Sequence, residues 1–120
     1  MNNNRLADYL GHMLEAAKLA HGYIEGMDKD DFLADTRTQQ AVILNLVIIG
    51  ESATQLLQNY GDFLEHYPDI PWRNMKGMRN RIAHGYFDIN IQVVWETVRI
   101  ALPQLLDRLP DVIEDAHEAD

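Results

Sequence analysis

Leu6, Leu10, Met13, Leu14, Ala17 and Ile24 recur at the spacing of one face of an α-helix. A first amphipathic helix is therefore predicted, ending near Gly26. Residues 27–35 are acidic and read as a connection containing a short turn. Thr36 or Thr38 can begin a second helix. Residues 41–49 within it are apolar almost all round, as in a helix buried by neighbours on several sides or by a partner subunit. The β-branched residues there also suit a buried strand. The flanks, residues 38–40 and 51–58, continue a helical pattern, however, and no second strand stands ready to pair.

A break is expected from Tyr60-Gly61 to Tyr67-Pro68. Asp69 is placed to N-cap a third helix, with Pro71 in its first turn and its end near His84. Gly85 then terminates it in a left-handed conformation. Asp88 or Asn90 can cap a fourth helix, whose apolar stripe is Val94, Val98, Ala101, Leu102, Leu105 and Leu109. Pro103 should kink or interrupt that helix, and Pro110 with the acidic tail 114–120 should fray. No repeat, low-complexity tract or linker appears. The expectation is an all-α bundle of four to five helices forming one domain over residues 1–120.

Composition changes this picture little: 47% of the 120 residues are hydrophobic and 24% charged, ordinary for a globular chain. The absence of cysteine removes disulfides and thiolate chemistry and fits a reducing, cytoplasmic setting. No apolar run with a cleavage site opens the chain, and residues 41–49 are too few to span a bilayer, so neither a signal peptide nor a membrane role is expected.

Charge adds more. The net charge of −9 argues against a nucleic-acid partner, because phosphate binding needs cations. Yet residues 71–87 hold Arg73, Lys76, Arg79 and Arg81 and no acidic residue. A basic island sits in an acidic body.

On a helix over residues 72–84, Met75, Met78 and Ile82 form the core-facing stripe, opposite Arg73, Lys76, Asn80, Arg81 and His84. Arg79 lies at the edge of the stripe, roughly 140° from His84 at about 100° per residue. A straight helix does not aim the two at one point. They converge if the helix unwinds near Gly85 or if a second subunit brings its own copy, which points to a homodimer. Histidine moves protons near neutral pH, and arginine offers a fork of donors to a phosphate gaining charge. Together they suit RNA cleavage by transfer to the adjacent 2′-hydroxyl, with Asn80 orienting the phosphate or the histidine. The five histidines are scattered and no metal-binding motif exists, so neither metal nor cofactor is expected. Glu51 is read as a surface turn of the second helix, with partnership to the basic face as the alternative.

The segment 78–88, Met-Arg-Asn-Arg-Ile-Ala-His-Gly-Tyr-Phe-Asp, resembles the signature of the HepT-like family of HEPN proteins: Arg, four residues, His, one residue, Tyr. Residues 32–35 with Thr38-Gln39, then 48–51, 67–72 and 94–98, are similar to that family as well. The resemblance implies a dimeric HEPN helical bundle and a metal-independent endoribonuclease toxin. Arg79 and His84 would be its catalytic pair and Asn80 their support, with Arg73, Lys76 and Arg81 facing RNA; DNA is not expected as a substrate. It further implies that a minimal nucleotidyltransferase (MNT) antitoxin adenylylates Tyr86. The alternative within the family is a non-catalytic subunit that binds nucleotide or partners the transferase.

Overall fold

The computed structural model describes residues 4–119. Helix α1 (Asn4–Tyr23) buries Leu6, Leu10, Met13 and Ala17 of the foretold stripe, with Ile24 buried just beyond its end; Leu14 is half-buried, and Ala16 and Ala20 join the core in addition. The chain leaves it through Gly26, whose φ of 80° favours a residue without Cβ. The acidic connection holds a short helix, α2 (Lys29–Leu33). Asp28 and Asp31 cap it reciprocally, each carboxylate accepting from the other's backbone N–H at 2.8 and 3.1 Å. Its buried Phe32 packs against Trp95, ring centroids 5.3 Å apart.

Asp35 caps the long central helix α3 (Thr36–Asn59), accepting from the Thr38 N–H at 3.1 Å and the Thr38 hydroxyl at 2.8 Å. These bonds hold the Asp35 carboxyl below the usual carboxylate range. Helix α3 packs on α1 and on α5 (Trp72–His84), with the four-residue α4 (Gly61–Leu64) between. Taken whole, α3 is long and apolar enough to cross a membrane, which the short run at 41–49 did not foretell. Half of its most apolar window is buried inside the bundle, while Leu44 and Ile48 remain exposed.

The start of α5 departs from expectation. Pro71 occupies the N-cap position without a side-chain cap. Asp69 lies too far upstream and instead accepts from Arg108 at 2.6 and 3.3 Å, which lowers the Asp69 carboxyl's pKa. The same connection is fastened by Tyr67, whose hydroxyl donates to Asp115; burial first, and that carboxylate second, push the phenol up to about 12.

Gly85 caps the end of α5 at φ −152°, not in the left-handed region. The chain runs straight into a 3-10 turn at Tyr86–Asp88, where the Asp88 N–H reaches the Gly85 carbonyl at 2.9 Å, so no left-handed reversal is needed. Asn90, rather than Asp88, caps α6 (Ile91–Glu96) through the Gln92 and Val93 N–H groups. The regular α-helix is interrupted just before Pro103, which stands in the first turn of its continuation. A π-turn at Thr97–Ala101, where the Leu102 N–H reaches back to the Thr97 carbonyl, carries α6 into α7 (Leu102–Glu118). Ala101 of the foretold stripe is exposed. The tail does not fray, because Val112 and Ala116 are fully buried in the core and α7 packs on α1, which hold the helix through Pro110 to Glu118. The result is an all-α bundle of four principal helices.

Candidate functional site

Helix α5 sits unusually close to α3, and Gly50 is the reason. A Cβ on Gly50 would lie 2.2 Å from the Arg79 Cβ and 2.8 Å from the Met75 carbonyl oxygen. The close approach presses the first atoms of the Arg79 side chain onto α3 and sends the guanidinium along its surface. There Nη2 donates to the Thr54 hydroxyl at 2.9 Å, and Nη1 stands 3.8 Å from the Glu51 carboxylate. The Thr54 hydroxyl in turn donates to the Gly50 carbonyl at 2.8 Å, so one oxygen ties both helices together. The Arg79 Nε is buried without a partner among the described residues.

Glu51 is exposed, as its reading as a surface turn expects, and it is also the ionic neighbour of Arg79, as the alternative held. Thr54 was not foreseen. A helical threonine usually bonds back to its own backbone, as Thr54 also does, and nothing local announces a second bond to a residue 25 positions away.

His84 ends α5 exposed and lines a hollow of about 430 Å³ between α5 and α6, together with Arg81, Ile82, Asn90 and Val93. Arg79 is absent from that lining, its guanidinium being engaged on α3. Within one chain, then, the structure does not join Arg79 and His84, in keeping with their wide separation on the helical wheel. Asn80 is half-buried; Arg73, Lys76 and Arg81 are exposed, which leaves the basic island facing solvent. Tyr86 stands on the 3-10 turn two residues beyond His84 and is 44% exposed. Its ring meets that of Phe87 edge-on at 5.8 Å, and Phe87 is 98% exposed. Such a ring contributes nothing to the core, which marks it as available for contact with something else.

A second hollow, about 440 Å³, runs between α3, α5 and α7 and is lined chiefly by Leu46, Ile49, Met75, Met78, Leu102 and Leu105. Asp69, Gln104, Asp107 and Arg108 also line it; His84 does not, and it shares only Met78 with the first hollow. Among the described residues no group of three or more His, Asp or Glu side chains is gathered as a metal would require.

The chain is 40% identical over 98 residues to a Thermococcus cleftensis protein bearing the provisional name ribonuclease HepT, spanning 82% of this chain and 86% of the other. It is 34% identical over 112 residues to a Methanocaldococcus jannaschii protein provisionally named an RNase, spanning 93% and 90%. A third relative, from Caldanaerobacter subterraneus and named likewise, is 29% identical over 88% of this chain and 92% of its own. No solved structure matches. Residues 13–112 match the family described as ribonuclease HepT-like, and the chain belongs to that family of ribonucleases.

Proposed function

We propose that the protein is a metal-independent endoribonuclease, the toxin of a toxin–antitoxin pair, acting in the cytoplasm and silenced when an MNT-type nucleotidyltransferase adenylylates Tyr86. The observation that carries this reading is the grouping of an exposed His84, an exposed Tyr86 two residues on, and the exposed cations of α5 on the surface of a ribonuclease-family chain.

The chemistry balances without a co-reactant. His84 takes the proton of a ribose 2′-hydroxyl, whose oxygen attacks the neighbouring phosphorus. The bond from phosphorus to the 5′-oxygen breaks, and that oxygen takes up a proton, leaving a 2′,3′-cyclic phosphate and a 5′-hydroxyl. Arg79 meets the negative charge that builds on the phosphoryl oxygens. The Glu51 contact at 3.8 Å is exposed and weak, so it keeps the guanidinium extended without locking it away from a phosphate. Asn80 supports the pair, and Arg73, Lys76 and Arg81 track the RNA backbone. A homodimer sets two copies of the motif in one cleft, which supplies the convergence that one chain lacks. Exposed Leu44 and Ile100, 60% and 53% accessible, offer apolar surface for it.

Adenylylation would attach a phosphodiester at Tyr86, beside His84, and so place charge and bulk where the substrate's own phosphate must sit. A second reading, a non-catalytic subunit that binds nucleotide or partners the transferase, draws on the engagement of Arg79 by Thr54 rather than toward His84. One experiment decides between them. Purified protein with Tyr86 shown unmodified by mass spectrometry is incubated with several RNA classes and a chelator, beside His84→Ala. Cleavage by the parent and none by the folded variant is the expected result; an inactive parent would sink the enzyme reading in favour of the second.

A further inference from the structure

The Arg79 side chain is held at both ends by one face of α3. Gly50 and Thr54 are four residues apart, about one helical turn, and so lie on the same side of that helix. Gly50 leaves room for the first carbons of Arg79, and the Thr54 hydroxyl catches its tip, accepting from Nη2 at 2.9 Å. The hydroxyl's own proton is spent on the Gly50 carbonyl at 2.8 Å, so toward Arg79 it can only accept.

Packing alone is a poor reason for this arrangement. The Arg79 Nε is buried with no partner among the described residues, which costs stability and which an apolar side chain at this position would avoid. The anchor is also neutral. Glu51 stands three residues before Thr54 on the same helix, yet its carboxylate stays 3.8 Å from Nη1, beyond hydrogen-bond reach. A carboxylate gripping the guanidinium by two bonds would offset its charge, whereas a hydroxyl fixes its direction and leaves that charge for another anion. The Nη1 donors and the second Nη2 donor stay uncommitted.

From this geometry we propose that Thr54 is a positioning residue for RNA cleavage, holding the Arg79 guanidinium in one orientation so that its free donors meet the phosphate as charge builds there. The proposal rests on the ribonuclease reading above and adds to it a residue outside the Arg–His motif, on a different helix. A guanidinium set in advance needs no reorganisation at the moment of reaction. The charge it meets is greatest in the transition state, so losing the hold should slow the chemical step rather than weaken RNA binding. Thr54 itself touches no substrate and acts through Arg79.

The test compares RNA cleavage by the parent, Thr54→Val and Thr54→Ser, each with Tyr86 shown unmodified, at a temperature where circular dichroism finds all three folded. Thr54→Val keeps the shape and removes the acceptor; kcat should fall about tenfold, the scale of one hydrogen bond to a charged group, with KM little changed. Thr54→Ser keeps the hydroxyl and should recover most of the rate. In ¹⁵N-labelled protein the Arg79 Nε–H signal should show added motion in Thr54→Val and none in Thr54→Ser. Thr54→Ala gives the same comparison should the valine variant fold poorly. A merely structural threonine would lower the melting temperature and leave kcat unchanged below it, and that result overturns the role. So would a fall in kcat that serine does not restore, a loss carried by KM alone, or an Arg79 signal indifferent to the valine. An active parent with these outcomes sinks the positioning role alone, whereas a parent that cuts no RNA sinks the ribonuclease reading and this role together.

Discussion

Replacing Gly50 with alanine adds one methyl group at the tightest point between α3 and α5. That carbon would sit 2.2 Å from the Arg79 Cβ and 2.8 Å from the Met75 carbonyl, whereas ordinary contact begins at 3.4 Å. The helices must therefore separate by about 1.2 Å at Arg79, and neither obstacle can rotate away, because one is a Cβ and the other a backbone oxygen. Overpacking of this kind costs about 1–3 kcal/mol, and the rigid obstacles place this case near the top of that range. Alanine's better helix propensity offsets about 1 kcal/mol. The expected net loss is about 2 kcal/mol, or a melting temperature lower by about 6–10 °C for a chain of this size. Thermal denaturation followed by circular dichroism measures it. Gly11→Ala and Gly22→Ala are the controls: both lie in α1 with nothing within 4 Å of the added carbon, so both should hold or raise the melting point. A Gly50→Ala variant that melts with the controls would refute the claim that this glycine sets the α3–α5 distance. If the close approach also places Arg79, RNA cleavage should fall in the same variant at temperatures where it remains folded.

Thr54→Val keeps the shape but removes the acceptor for Arg79; about 1 kcal/mol of stability should be lost in urea denaturation, and Thr54→Ser should restore it. Because the folded Tyr67 phenol ionises near 12 against an ordinary value of 10, the folded state holds its proton longer than the unfolded state. Tyr67 therefore contributes stability that is complete below pH 10 and drains away toward pH 12, and Tyr67→Phe should flatten that part of the stability curve. At the acid end, Asp35 and Asp69 have lowered values, so their contribution is present above about pH 4 and lost as pH falls further; Asp69→Asn should blunt that fall. Pro110→Ala should stabilise by about 1–2 kcal/mol, because an exposed proline inside a helix forfeits a backbone hydrogen bond. A lower melting point for that variant would mean that Pro110 is accommodated without cost.

The features legible in the sequence are those decided within a few residues. The α1 stripe, the Asn90 cap and the buried side of α5 at Ile82 depend on local spacing, and each stands where its pattern places it. What escaped the sequence depends on partners far along the chain. Asp69 looks like a cap until Arg108, 39 residues away, competes for its carboxylate. Residues 114–118 look frayed, since Pro110 and a run of acids say nothing of the core packing that buries Ala116. The same division runs through the candidate site. His84, Tyr86 and the basic face were visible as a motif, but the grip of Thr54 on Arg79 required knowing which turn of α3 faces α5.

The π-turn at Thr97–Ala101 has a meaning for phase. The buried positions of the last helical rod change period as they cross it: Val94, Val98 and Leu102 are spaced by four, while Leu102, Leu105, Leu109, Val112 and Ala116 alternate three and four. In an unbroken α-helix, two successive steps of four would carry the stripe about 80° around the rod, turning one end of it toward water. The wider turn absorbs that drift. Trp95 can thereby meet Phe32 at one end while Leu109 and Ala116 remain in the core at the other. Deleting one residue there would therefore leave a regular α-helix still in phase, because seven residues in place of eight turn it about 700°, within about 20° of two full turns, and the part that adjoins the site would keep its alignment with the part that holds α1.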